Sequence, residues 1–165
     1  MVVGVNTRPI VKSAKKLGMK TIALDRFCDL DLEADITIST RGLIRGELLQ
    51  LAIKTIDEHE VDRVLLASGA EHHYTLIKEL GKRAEIWGND IPTIKACEKI
   101  RLFSLADELG IPHPRTFIVR DLEEAFEALE KLNGEAVFKT SYGGGGIGTS
   151  YARSTNQVES SFNTA

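Results

Sequence analysis

Short apolar runs alternate with helix-length stretches through residue 88, and that alternation constrains the fold more than any other feature. Met1–Val5 reads as a buried strand ending in polar Asn6-Thr7-Arg8. Pro9 suits the first turn of a helix, where its missing N–H is no loss. Ile10, Val11, Ala14 and Leu17 follow at helical spacing, and Gly18 ends the helix. Thr21–Leu24 and Ile36–Ile38 read as strands, then Ile44, Leu48, Leu51, Ala52 and Ile56 trace one face of a long helix. Val64–Ala67 is a fourth strand, a helix covers Tyr74–Leu80, and Ala84–Trp87 is a fifth strand. Helical stretches between short apolar strands favour parallel pairing through right-handed crossovers. Ligands of such sheets sit at the carboxyl ends of the strands. Those ends carry Asn6–Arg8, Asp25-Arg26 and Ser68–Glu71, so Asn6, Arg8, Ser68, Gly69 and Glu71 are the expected substrate contacts.

The pattern changes after Asn89-Asp90-Ile91-Pro92, which divides the chain into residues 1–90 and 91–165. Helical stretches cover Pro92–Ala96 and Glu98–Leu109, the latter with Leu102, Phe103, Ala106 and Leu109 on its apolar face. Gly110-Ile111-Pro112-His113-Pro114 closes it, since proline cannot continue a helix. Arg115–Val119 reads as a strand. Asp121 opens an amphipathic helix carrying Leu122, Ala125, Phe126, Leu129 and Leu132, with Gly134 beyond its end. Strand Ala136–Thr140, the run Ser141–Gly148, an alternating stretch Thr149–Arg153 and a helix capped by Ser154 complete the sequence.

Composition excludes several classes. Apolar residues make up 42% and charged residues 27% of the 165, which is globular. A net charge of −3 gives no electrostatic reason to bind nucleic acid or acidic membranes. No apolar run approaches the ~20 residues that span a bilayer. Met1–Val5 lacks the basic flank of a signal peptide. Cys28 and Cys97 form neither a disulfide framework nor a C-x-x-C motif. A reduced, cytoplasmic α/β protein is therefore expected, with no nucleic-acid or membrane partner.

Gly143-Gly144-Gly145-Gly146-Ile147-Gly148 is the most informative segment for chemistry. Glycine weakens strands and helices, so such a run marks backbone that bends, moves or approaches a ligand. Bare N–H groups in loops of this kind cradle phosphates. The run matches G-x-G-x-x-G, yet it lies late in the chain and a strand pattern follows it, not the helix of a dinucleotide fold. Thr149 stands where a Walker A lysine belongs. What remains is a strand–glycine loop–strand flap, with Lys139 on the strand before it.

Val137-Phe138-Lys139-Thr140-Ser141-Tyr142 with the glycine run resembles the ATP-grasp superfamily, in its biotin-carboxylase and carbamoyl-phosphate-synthase branch. Gly88–Pro92 and Cys97–Pro112, with Lys99 near a helix start and a Gly-Ile-Pro turn after it, are similar to that family's linker and first helix. Gly4-Val5-Asn6-Thr7-Arg8-Pro9 resembles the opening of predicted archaeal ATP-dependent carboligases. The resemblance implies an α/β chain built of a Rossmann-like, parallel-sheet pre-ATP-grasp domain followed by the small α+β lobe of an ATP-grasp domain. It implies that Lys99, Lys139, Ser141, Gly143, Gly144, Gly145, Gly146 and Gly148 contact ATP. It also implies activation of a carboxylate as an acyl phosphate, which an amine or other nucleophile then attacks. Two lysine charges suit phosphoryl transfer, which needs positioning and neutralisation above all.

The family's adenine-contacting hinge and Mg²⁺ ligands follow the flap, and none can be assigned in this sequence. The chain therefore reads as truncated after the flap, the N-terminal portion of a ligase short by roughly one domain of ~100–200 residues. The competing reading is a non-catalytic nucleotide-binding or regulatory module without the catalytic half. The small lobe is expected to keep an unfinished sheet and exposed apolar surface, with self-association as a possible consequence. His72-His73 beside Glu71 are poor metal ligands as a pair, because adjacent helical residues point about 100° apart; substrate contact is the better reading. Arg8 is either a carboxylate partner or an exposed loop charge, and Asp29–Asp35 reads as a solvated loop.

Overall fold

The computed structural model describes residues 1–142 and 145–165. They form two compact units, Met1–Ile94 and Lys95–Ala165.

In the first unit β1 (Val2–Gly4), β2 (Ile22–Asp25), β3 (Ile36–Ser39), β4 (Arg63–Leu66) and β5 (Glu85–Ile86) build one sheet in the order β3-β2-β1-β4-β5. Every pairing is parallel. The helices are α1 (Arg8–Lys16), α2 (Arg45–His59) and α3 (Tyr74–Leu80). Because successive strand residues face opposite ways, Val2 and Ala23 pack with Val11 and Leu32 on one face, while Val3, Leu24 and Val64 pack with Ala52, Ile56, Leu76 and Leu80 on the other. The sheet is thus covered on both sides, as the near-continuous apolar strands predict. From β2 to β3 the chain crosses without a helix, and buried Leu32 covers the sheet there.

The helix ends follow local chemistry. Pro9 lies in the first turn of α1, and Gly18 takes φ +72° past its end, where Met19 N–H closes on Ala14 O at 3.1 Å. Glu47 reaches back to the Ile44 N–H at 2.9 Å at the start of α2.

Strand order reverses between β1 and β4, which makes their carboxyl ends the switch point of the sheet. The two strands approach closely there. A Cβ on Gly4 would lie 2.6 Å from Ala67 Cβ, and one on Gly69 (φ +87°) would lie 2.8 Å from Val5 Cγ2.

The second unit contains α5 (Lys99–Glu108), α6 (Leu122–Lys131), β6 (Ala136–Lys139), β7 (Thr149–Ala152), a 3-10 turn at Thr155–Gln157 and α7 (Val158–Thr164); α4 (Ile91–Ala96) spans the division between units. Strands β6 and β7 pair antiparallel, Ala136 with Ala152 through Lys139 with Thr149. Their inner face, Phe138 and Ala152, packs against Ala125, Leu129 and Val158. Asp121 caps α6 by accepting the Glu124 N–H at 2.9 Å, as its position predicts.

One expectation changes here. The strand anticipated at Arg115–Val119 does not form; residues 111–120 carry no regular structure. Pro112 and Pro114 each remove a backbone donor, and β6–β7 is the sole ladder of this unit among the described residues. The apolar face of α5 exists but covers no core: no α5 residue is buried, and Leu102, Leu105 and Leu109 are exposed together with Ile111, Phe117 and Ile118. A two-stranded sheet beside uncovered apolar surface is what the sequence led us to expect of this lobe.

Candidate functional site

Lys99, Lys139 and the glycine segment all belong to the second unit. Lys99 is the first residue of α5, and its Nζ donates to Thr140 O at 3.1 Å. Thr140 directly follows Lys139, the last residue of β6, so the α5 ammonium sits at the base of the glycine segment. One of three ammonium donors is used by that carbonyl, leaving two for a ligand's oxygens. Lys139 is on the outer face of the hairpin beside Val137 and Tyr151 and is exposed.

The segment between the strands is closed by Thr140 N–H on Gly148 O at 3.3 Å and Thr149 N–H on Gly146 O at 3.1 Å. Gly145, Gly146 and Gly148 take φ of +64°, +79° and +66°, which side-chain-bearing residues rarely adopt. A Cβ on Gly148 would lie 2.7 Å from Thr140 Cγ2. The Thr140 hydroxyl bonds the Tyr142 carbonyl, turning the strand into the loop. Ser141 is exposed beside it. Gly143 and Gly144 lie outside the described residues. Glycine-only backbone beside the Lys99 ammonium fits a polyphosphate.

The first unit carries a second cluster at the carboxyl end of its sheet. Val5 N–H donates to Ser68 O at 2.8 Å and joins the loops that follow β1 and β4. Asn6 Oδ1 accepts from the Arg8 backbone N–H at 3.2 Å and from its Nε at 3.3 Å. Arg8 Nη1 meets both oxygens of Asp31, at 2.8 and 3.0 Å, and Asp29 at 3.3 Å. The run read as a solvated loop therefore supplies the carboxylates that Arg8 binds, and the Asp31 carboxyl is held below its usual range chiefly by that hydrogen bond. Glu71 occupies the same end after β4, and its Oε2 is buried with no hydrogen-bond partner among the described residues; His73 Nδ1 shares that condition.

Sequence reasoning placed Asp25 at a strand's carboxyl end but gave it no role. Its Oδ2 accepts from Thr7 N–H at 2.6 Å and Thr7 Oγ1 at 2.8 Å, and its Oδ1 from Phe27 and Cys28 N–H at 2.8 and 2.9 Å. Burial alone would raise its pKa, but these four bonds outweigh it and hold the carboxyl below the ordinary value. The available signal was an acid closing an apolar strand run, and the register of β1 against β2 brings Thr7 to it.

A concavity of about 580 Å³ opens at the opposite, amino end of the sheet, lined by residues such as Thr21, Ile36, Val61 and Trp87. The orphaned polar atoms of Glu71 and His73 lie at the other end, so chemistry points to the carboxyl side. Among the described residues no cluster of three His, Cys, Asp or Glu side chains is placed to hold a metal. No helix among them is long and apolar enough to cross a membrane.

Comparison with known proteins gives a consistent pattern, although no family model matches. The chain is 27% identical over 157 residues to an uncharacterized protein of Methanocaldococcus jannaschii, covering 88% of this chain and 40% of that one. It is 27% identical over 155 residues to the carbamoyl phosphate synthase large chain of Methanothrix thermoacetophila, covering 89% of this chain and 14% of that one. Among solved structures, the biotin carboxylase domain of Hydrogenobacter thermophilus 2-oxoglutarate carboxylase, a dimer complexed with MgADP, ADP and bicarbonate, aligns with a TM-score of 0.71 at 21% identity. That alignment covers 99% of this chain and 40% of the other. Campylobacter jejuni biotin carboxylase aligns with a TM-score of 0.68 at 18% identity, covering 97% and 40%. The chain thus has the fold of part of these biotin carboxylase domains and spans 40% or less of these proteins.

Proposed function

We propose that this chain, which resembles the biotin-carboxylase and carbamoyl-phosphate-synthase branch of the ATP-grasp superfamily in sequence and fold, is the nucleotide-binding N-terminal portion of an ATP-dependent carboxylate ligase. In this reading residues 1–90 form the pre-ATP-grasp domain and residues 91–165 the first lobe of the ATP clamp. The observation that carries it is the Lys99 Nζ–Thr140 O contact, which sets the α5 ammonium beside the glycine segment that Lys139 introduces. ATP, when bound, supplies the phosphoryl group that activates a carboxylate as an acyl phosphate.

The chain's own residues do the rest. Lys99 and Lys139 neutralise and orient phosphate oxygens, and Ser141 and the N–H groups of residues 143–148 close over them. The positive φ of Gly145, Gly146 and Gly148 aims backbone donors that a Cβ would obstruct. The Mg²⁺ that accompanies ATP takes its ligands from outside this stretch. Asn6, Arg8, Ser68, Gly69 and Glu71 at the sheet's switch point face the small-molecule substrates. The exposed α5 leucines support self-association, or cover by a further portion of the enzyme.

Thermal unfolding with and without MgATP tests the nucleotide site. A nucleotide present at 100 times its Kd stabilises by about 2.7 kcal/mol. The wild-type chain should gain stability in proportion to MgATP, and Lys139→Ala should abolish the gain. Equal protection of the variant removes Lys139 from the site, and absence of protection in the wild type contradicts nucleotide binding.

A further inference from the structure

Thr140 stands between Lys139, the last residue of β6, and the glycine segment that opens at Ser141. Each of its polar groups is engaged within the second unit. Its N–H donates to Gly148 O at 3.3 Å, its carbonyl accepts from Lys99 Nζ at 3.1 Å, and its hydroxyl donates to the Tyr142 carbonyl. Its methyl group fills the space beside Gly148, where a Cβ would lie 2.7 Å from Thr140 Cγ2. One residue thus touches both ends of the segment, at Tyr142 and at Gly148, and holds the α5 ammonium as well.

Each contact has a consequence for an anion bound there. Lys139 with Thr149 is the last register of the hairpin, so the Thr140 carbonyl lies beyond the ladder and serves the Lys99 ammonium instead. Fixing a long lysine side chain costs rotamer entropy, which a ligand otherwise has to offset when it binds. The hydroxyl acts within the segment itself. Phosphate loops bind through N–H groups, and a carbonyl oxygen among them opposes an anion. By donating to the Tyr142 carbonyl, the hydroxyl gives that oxygen a partner inside the chain. The methyl group explains part of the need for glycine at 148, where a side chain would meet Thr140 in addition to the φ of +66°.

We propose that Thr140 is a positioning residue for the nucleotide's phosphates, setting the Lys99 ammonium and both ends of the glycine segment in place before the ligand arrives. It acts through those groups, because its own N–H and hydroxyl are already bonded within the chain. The proposal rests on the nucleotide reading of this site; the contacts do not.

The test is calorimetric titration of the whole chain with MgATP, comparing wild type with Thr140→Val, which keeps the methyl group and loses the hydroxyl, and Thr140→Ser, which does the reverse. Thr140→Val should weaken binding by about five- to tenfold, the scale of one lost hydrogen bond, and Thr140→Ser should stay within about twofold of wild type. Thr140→Ala should weaken binding as Thr140→Val does, and it supplies the hydroxyl-free chain if the valine variant does not fold. A role in packing alone reverses the order, with serine weaker than valine, and that order overturns the proposal. Wild-type affinity in both hydroxyl-free variants also overturns it and leaves the nucleotide reading standing. No MgATP binding by the wild-type chain overturns that reading and the proposal together.

Discussion

At the scale of single residues, Asp25 is the group on which the first unit's loops depend. One carboxylate, 2% exposed, gathers four donors from the segments after β1 and β2. Asp25→Ala would leave the Thr7, Phe27 and Cys28 amides unsatisfied, and we expect it to destabilise the chain by about 3 kcal/mol. Urea unfolding checks this; a loss within experimental error would mean that water replaces the carboxylate at no cost. Its pH dependence has a definite sign. The carboxyl is held below its ordinary value in the folded state, so its contribution is present above the unfolded value and lost as pH falls through the folded one. The Thr7 bonds were not legible in the sequence, because partners 18 residues away leave no local signature, unlike Phe27 and Cys28 just after Asp25. Lys99 differs: its Nζ meets Thr140 O, next in sequence to Lys139, and the glycine motif had marked that stretch for a physical reason.

At the scale of elements, legibility followed periodicity. The helices α1, α2, α3 and α6 stand where apolar spacing and caps placed them, as do all five parallel strands. Arg115–Val119 was misread because β-branched and aromatic residues were present without a partner strand, and strand propensity expresses packing against neighbours more than backbone preference. What residues 111–120 have in place of a ladder is a side-chain clasp. His113 Nε2 lies 2.9 Å from Asp107 Oδ1 and its Nδ1 lies 2.9 Å from Pro114 O, with Phe103 against the ring. Both partners only accept, so the protonated ring, with both nitrogens donating, satisfies both contacts at once. The Asp107 hydrogen bond, then the Pro114 carbonyl, raise its pKa above the usual 6.5. The clasp is therefore complete below that value and is lost as pH rises through the folded one. NMR titration of the His113 ring should give a midpoint above 6.5; one at or below it contradicts the clasp.

At the scale of the whole molecule, the two units divide the work that the proposed function requires. The first is a doubly covered parallel sheet whose switch point gathers polar loops. The second is a small lobe whose hairpin carries the glycine segment, with apolar surface on α5 and beyond it left in water. Exposed leucines on a helix that holds Lys99 make sense if α5 has a further surface to meet, and the relatives are all longer than this chain. The surroundings of Arg8 and Glu71 were not legible in sequence: they depend on which polar atoms are satisfied within the fold, Arg8 by Asp31 and Asp29, Glu71 Oε2 by none of the described residues. The central claim is that the second unit grips the phosphates of ATP between Lys99, Lys139 and the glycine segment. Amide NMR mapping of a MgATP titration tests it most directly. The account predicts saturable shifts concentrated at Lys99, Lys139–Ser141 and Gly145–Thr149, absent in Lys139→Ala. Saturable shifts confined to the first unit, or no shifts at all, would contradict it.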